Sequence, residues 1–105
     1  MADDLRADLQ AIRDLLADPQ RWTQHYCGRT IEGTPITVPA REAVCFCLMG
    51  AIYQTQGSDF GGNINEIEDH LNASPLLNGV SYVRFNDTHT HAEVLALLDE
   101  RIAAL

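Results

Sequence analysis

Leu5, Leu9, Ile12 and Leu16 step by four, three and four residues, the spacing that gathers side chains on one face of a 3.6-residue helix. Asp3 and Asp4 stand where a cap and favourable negative charge belong, so the pattern predicts a first helix over residues 4–17. Asp18-Pro19 then reads as a cap followed by proline at the first helical position, where a missing N–H costs nothing. A short helix carrying Trp22 and Tyr26 is predicted after it. The stretch YCGRTIEGTPITV alternates β-forming residues around Glu32-Gly33, with glycine free to take the positive φ of a tight turn. It predicts a hairpin with strands over 27–31 and 34–38.

Beyond Pro39, AREAVCFCLMGAIYQTQ is apolar on nearly every face once past Glu42, which predicts a buried central helix over 40–56. Gly50 and Ala51 are small; a helical glycine costs about 1 kcal/mol relative to alanine, so close packing of a neighbouring helix is the expected compensation. GSDFGG reads as a loop, and Asn63 with Glu66 as a reciprocal cap opening a helix over 63–72. NASPLLNG is a connector. VSYVRF is β-branched and aromatic and is predicted to be extended, although its residues do not divide cleanly into two faces. Val94, Leu95, Leu97, Leu98, Ile102 and Leu105 predict a closing helix over 90–104. The pattern as a whole predicts a mostly α fold with minor β: a compact bundle of about five helices with a small β-hairpin, in one domain spanning residues 1–105.

Composition supports a packed core, with 46% apolar against 21% charged residues in a 105-residue chain. No stretch approaches the roughly 18 apolar residues of a membrane span, and the N-terminus is acidic where an export signal is basic and then apolar. A cytoplasmic location is expected. Cys27, Cys45 and Cys47 are odd in number, which argues for reduced thiols rather than a disulfide framework. A net charge of −8 with only 7 basic residues disfavours direct binding to nucleic acid phosphates. It suits docking on the basic surface of a protein partner, including one that itself handles nucleic acids.

Chemistry-bearing residues concentrate near the last helix, in RFNDTHTHAEV. Thr90 and Glu93 fit a capping box, and Asn86-Asp87 fit the turn feeding it, because their side chains bond their own backbone. Asp87, His89 and His91, two apart, would offer an O, N, N set for zinc or another divalent ion if the loop were extended, though no fourth ligand is in register. On a helix, Cys45 and Cys47 would point roughly 200° apart, so they are expected to act as small hydrophobes rather than paired ligands. Trp22 is expected at the core or its rim with its N–H on an acceptor, and Trp22, Gln24, Cys47, Asn86, Asp87 and His91 are the residues that a small-molecule or catalytic pocket would gather. A phosphate loop, a Ser-His-Asp set and a zinc-protease helix are all missing, and no cofactor is implied.

Trp22-x-Gln24, Gly33-x-Pro35, the run AVCFCLMGAI and the ending FNDTHTHAEVLALLDERI resemble domain-of-unknown-function family 6197, small proteins of bacteria and their phages. The resemblance spans about residues 20–104 and rests on Trp22, Gln24, Ala43, Val44, Cys47, Leu48, Gly50, Ala51, Phe85, Asn86, Asp87, Thr90, Glu93, Val94 and Leu98. Phe85 stands where the family pattern more often has tryptophan, and the loop between Asp87 and Thr90 is short. The resemblance implies a helical fold in a bacterial host cell and no mechanism. Taken with the charge, it leads to a non-enzymatic protein-binding or regulatory module, in one version a phage-encoded inhibitor of a host defence or nucleic-acid-handling complex. The pocket and the metal site are the alternatives.

Overall fold

The computed structural model describes residues 2–57 and 63–105. Helix α1 (Ala2–Leu15) buries Leu5, Leu9 and Ile12, with Leu16 buried one residue past its end, the four residues whose spacing predicts it, and lies chiefly against α5 and α2. It begins and ends two residues earlier than the sequence predicts, so Asp3 and Asp4 fall in its first turn. Asp18 then caps a single 3-10 turn, Pro19–Arg21, through Gln20 N–H donating to Asp18 Oδ1 at 2.9 Å. The short helix expected to carry Trp22 and Tyr26 does not continue. Trp22 is extended (φ −113, ψ 141), because the backbone here pairs sideways instead: Thr23 N–H donates to the Phe46 carbonyl at 2.9 Å.

The predicted hairpin forms, with β1 (Gly28–Arg29) antiparallel to β2 (Pro35–Ile36) and Gly33 turning the chain at φ 86. A third strand, β3 (Cys45–Phe46), pairs antiparallel with the other edge of β1, so the sheet order is β2-β1-β3. That strand occupies the front half of the predicted central helix. Helix α2 runs only over Leu48–Gln56. An apolar run without a polar face carries no period to separate buried strand from buried helix, and here Cys47 decides the boundary: it is extended, and its Sγ accepts Gly50 N–H at 3.2 Å as the cap of α2.

Gly50 is required by a close approach, but the neighbour is a loop backbone and not a helix: a Cβ at this position would stand 1.8 Å from the Cys27 carbonyl oxygen. Helix α3 (Ile64–Asn72) matches its expected span, yet Asn63 makes no side-chain cap and instead donates from Nδ2 to Asp8 Oδ2 on α1 at 2.8 Å. The loop expected over 57–62 lies, beyond Gly57, outside the described residues. The connector tightens into a second 3-10 turn, Pro75–Leu77, capped by Ser74.

VSYVRF is helical from Tyr82 onward, not extended. Helix α4 (Tyr82–Thr88) is capped by Ser81, whose Oγ accepts Arg84 N–H at 3.2 Å, and it buries Tyr82, Phe85 and Asn86 at helical spacing. Burial at i, i+3 and i+4 outweighs the β propensity of isolated residues. Helix α5 (His91–Ala103) starts at the predicted capping box: Glu93 N–H donates to Thr90 Oγ1 at 3.2 Å and Thr90 N–H to Glu93 Oε1 at 2.9 Å. The five helices and the small sheet enclose one core built from α1, α2, α3, α4 and α5 with Val38 and Phe46 from the strand region. No helix among the described residues is long and apolar enough to cross a membrane.

Gly50→Ala should therefore destabilise the protein by about 3 kcal/mol, at the upper end of ordinary overpacking, because the clash is with backbone and not with a movable side chain. A lowered urea midpoint with an unchanged slope would report it.

Candidate functional site

Asn86 carries no solvent exposure, and its side chain uses every donor and acceptor it has. Its Oδ1 accepts the Trp22 indole N–H at 2.7 Å and the Leu48 backbone N–H at 3.0 Å. Its Nδ2 donates to the Thr23 carbonyl and to Asp87 Oδ1, both at 3.2 Å. One amide thus joins the segment after α1, the first turn of α2, and α4. The Leu48 N–H is among the orphan donors of a helix start, so a side chain 38 residues away completes a cap that Cys47 alone leaves unfinished.

The neighbouring residues extend the same knot. Gln24 Nε2 donates to the carbonyls of Asn86 at 3.1 Å and His89 at 2.9 Å, closing the C-terminal end of α4. Asp87 Oδ1 accepts His25 N–H at 2.8 Å and holds His25 at φ 75, a left-handed conformation uncommon outside glycine. Its other oxygen lies 3.8 Å from His25 Nδ1. His91 Nε2 bonds the Leu16 carbonyl at 2.6 Å, so this nitrogen carries the proton, and the ring tilts against Trp22 with centroids 5.7 Å apart. His89 stacks on Phe85 at 3.8 Å and directs Nδ1 to the Phe85 carbonyl at 3.0 Å.

Trp22, Gln24, Asn86, Asp87 and His91 lie together, with Cys47 next to Leu48 at the start of α2, and Trp22 has its acceptor. What they form is an internal joint. Asn86 and Asp87 are not the turn feeding α5: they lie in α4, and their hydrogen bonds reach back 62 to 64 residues to Thr23, His25 and Trp22. Thr23 and His25 belong to the knot and carry no sequence signal of it, since one contributes a carbonyl and the other a backbone N–H. Asp87, His89 and His91 are not in an extended loop and turn their polar atoms to different partners. Among the described residues no group of three His, Cys, Asp or Glu side chains is placed to hold a metal ion.

Cys47 is buried, and its thiol is pushed up to about 11, mainly by burial, against the opposing pull of the Gly50 N–H. A thiol held protonated at neutral pH is a weak nucleophile. Among the described residues no fully buried side-chain nitrogen or oxygen lacks a partner, so the buried part of the knot is satisfied from within.

A second polar cluster fixes the end of α5. Ser74 Oγ and the Arg101 guanidinium both donate to Glu100, Arg101 donates to the His70 carbonyl at 3.2 Å, and His70 Nε2 returns a bond to the Arg101 carbonyl at 2.7 Å. The hydrogen bonds from Arg101 hold the Glu100 carboxyl below its ordinary value, with burial opposing and Ser74 helping.

Removing the Asn86 side chain with Asn86→Ala should strand the Trp22 and Leu48 donors and cost about 3 kcal/mol, from roughly 1–3 kcal/mol for each buried polar group left unpaired. A much smaller loss in urea unfolding would show that water replaces the amide. The Glu100 cluster carries an acid signature. A carboxyl depressed in the folded state contributes stability above its unfolded value of 4.5, and that contribution is lost as pH falls through the folded value. The stability gap between wild type and Glu100→Gln should therefore be widest near neutrality and close in the acid range below 4.5, as thermal unfolding across pH would show.

A family model described as a family of unknown function (DUF6197) matches residues 1–104. No curated protein and no solved structure matches the chain. The match takes in both halves of the knot, from Trp22 to Asn86, together with α1 and α5, and the chain belongs to that family of unknown function.

Proposed function

We propose that this chain is a non-enzymatic protein-binding module whose partner presents an apolar patch within a basic surface. The observation that carries the reading is the partition of charge and exposed apolar surface. Over residues 18–47, Arg21, Arg29 and Arg41 balance Asp18, Glu32 and Glu42, so the entire net charge of −8 falls on the rest of the chain. Tyr26, Ile31 and Val44, three of the four exposed large apolar side chains among the described residues, lie in that neutral segment, and Ile31 is 81% exposed. Ile31 and Val44 border a shallow groove of about 420 Å³ with Asp18, Gln20, Arg21 and Ala43. An apolar contact on a chain whose remaining segments are strongly negative favours a basic partner and speeds its approach.

The narrower version, a phage-encoded inhibitor of a host defence or nucleic-acid-handling complex, identifies that basic partner with such a complex; small size and acidity support it. The pocket alternative has the gathered residues in its favour, but their donors and acceptors already face one another.

Tagged wild-type protein and Ile31→Glu should be used side by side to capture partners from the source cell at low and high salt. Ile31 is open to solvent, so the variant should unfold at the same temperature as wild type while losing at least about tenfold in affinity, the scale of one central apolar contact. Retention should weaken as salt screens the charge. A partner held equally by both proteins, or binding indifferent to salt, would overturn the proposal.

A further inference from the structure

Cys27 immediately precedes β1, and Cys47 immediately follows β3. The β1–β3 pairing sets Gly28 against Phe46 and Arg29 against Cys45, and carrying that register one residue beyond the paired strands sets Cys27 against Cys47. The Cys47 N–H donates to the Cys27 carbonyl at 3.3 Å, which carries the pairing through to these residues. Directly opposed residues on antiparallel strands project to the same side of the sheet, with Cα atoms about 4.5–5.5 Å apart, inside the 4.4–6.8 Å range that a disulfide spans. Cys45, two residues before Cys47, shares its side of the strand but stands opposite Arg29, so it reaches Cys27 only diagonally, over about 7–8 Å.

The two sulfurs differ in access. Cys27 is partly exposed and lines an apolar groove of about 390 Å³ with Tyr26, Pro35, Ile36, Thr37, Val38 and Tyr53. Cys47 is buried, 7% exposed, as the cap of α2. A small oxidant can therefore meet Cys27 first, with the second thiol within its own sheet to resolve the product.

We propose that Cys27 and Cys47 form a redox pair, in which a hydroperoxide entering the groove converts the two thiols to a disulfide between β1 and the start of α2. The Cys27 sulfur attacks the peroxide, breaking its O–O bond and leaving a sulfenic acid and one molecule of water or alcohol. The Cys47 thiol, a weak nucleophile while protonated, is held against its target, and proximity offsets that weakness as it attacks the Cys27 sulfur; the S–S bond forms, and the departing hydroxide takes the Cys47 proton as water. Two thiols are oxidised and one peroxide is reduced. The bond closes a loop containing the hairpin and replaces the cap that Cys47 Sγ gives Gly50 N–H with a covalent tie. The pair rests on the strand register alone and stands whether or not the module binds a protein.

The test is peptide mapping of the folded full chain after treatment with hydrogen peroxide. Cleavage after arginine places Cys27 in the peptide 22–29 and both Cys45 and Cys47 in the peptide 42–84. Wild type and Cys45→Ser should each yield these two peptides joined, with the loss of two hydrogens, and the oxidised protein should melt several degrees higher. Cys47→Ser should yield no joined peptide and accumulate a Cys27 sulfenic acid that a dimedone probe captures. A wild-type chain that gives no joined peptide while folded, or a link that disappears in Cys45→Ser, would overturn the proposal.

Discussion

The Asn86 side-chain oxygen is shared by the Trp22 indole and the Leu48 backbone N–H, and the placement of the other elements depends on that shared acceptor. A buried donor without a partner costs about 1–3 kcal/mol, so the segment after α1, the start of α2, and α4 reach low energy only when all three meet. Their meeting sets the rest. Trp22 at Asn86 positions Thr23 to pair with Phe46, that pairing seats β3 beside β1, and β1 brings the Cys27 backbone against Gly50. Polar groups here do what an apolar core alone does not: they select one arrangement of short helices whose apolar faces would tolerate several.

The ends of the chain were legible because their apolar residues keep a period. The faces of α1 and α5 follow from Leu5 to Leu16 and from Val94 to Ile102, and the Thr90–Glu93 cap is local chemistry closed within four residues. The middle was not. From Ala43 to Ile52 the run is too uniformly apolar to show where strand gives way to helix, and the boundary rests on a cysteine acting as a cap and on an asparagine 38 residues away. VSYVRF misled for the opposite reason: its residues favour strands one by one, while Ser81 as a cap and the burial of Tyr82, Phe85 and Asn86 are collective properties. The candidate site was half legible, since its residue types stood out as too polar for ordinary packing, but a local reading assigned Asn86 and Asp87 to a turn when their partners lie at the other end of the sequence.

The residues that carry the family resemblance take on a physical meaning in this light. Trp22, Gln24, Cys47, Leu48, Gly50, Asn86 and Asp87 are the members of one joint, and Thr90 and Glu93 start the helix packed beside it. A signature of this kind identifies a fold. The proposed binding role falls outside the joint, on side chains such as Tyr26 and Ile31 that the architecture leaves free.

Those exposed side chains are nevertheless held firmly. The strands are only two residues long, and a sheet so small is marginal by itself. Its rigidity is borrowed: Phe46 and Val38 are buried in the common core, the Cys27 carbonyl rests on the Gly50 backbone, and Arg29 lies over the Tyr26 ring at 4.5 Å while donating to the Gly33 carbonyl. In the proposed binding role such a surface is ordered before contact, so little of the contact energy is spent on arranging it. The same coupling runs inward. Any event that shifts Cys27 presses on Gly50 and on the first turn of α2, where Leu48 meets Asn86, so the strand region and the helical knot respond as one unit rather than as a loop attached to a bundle.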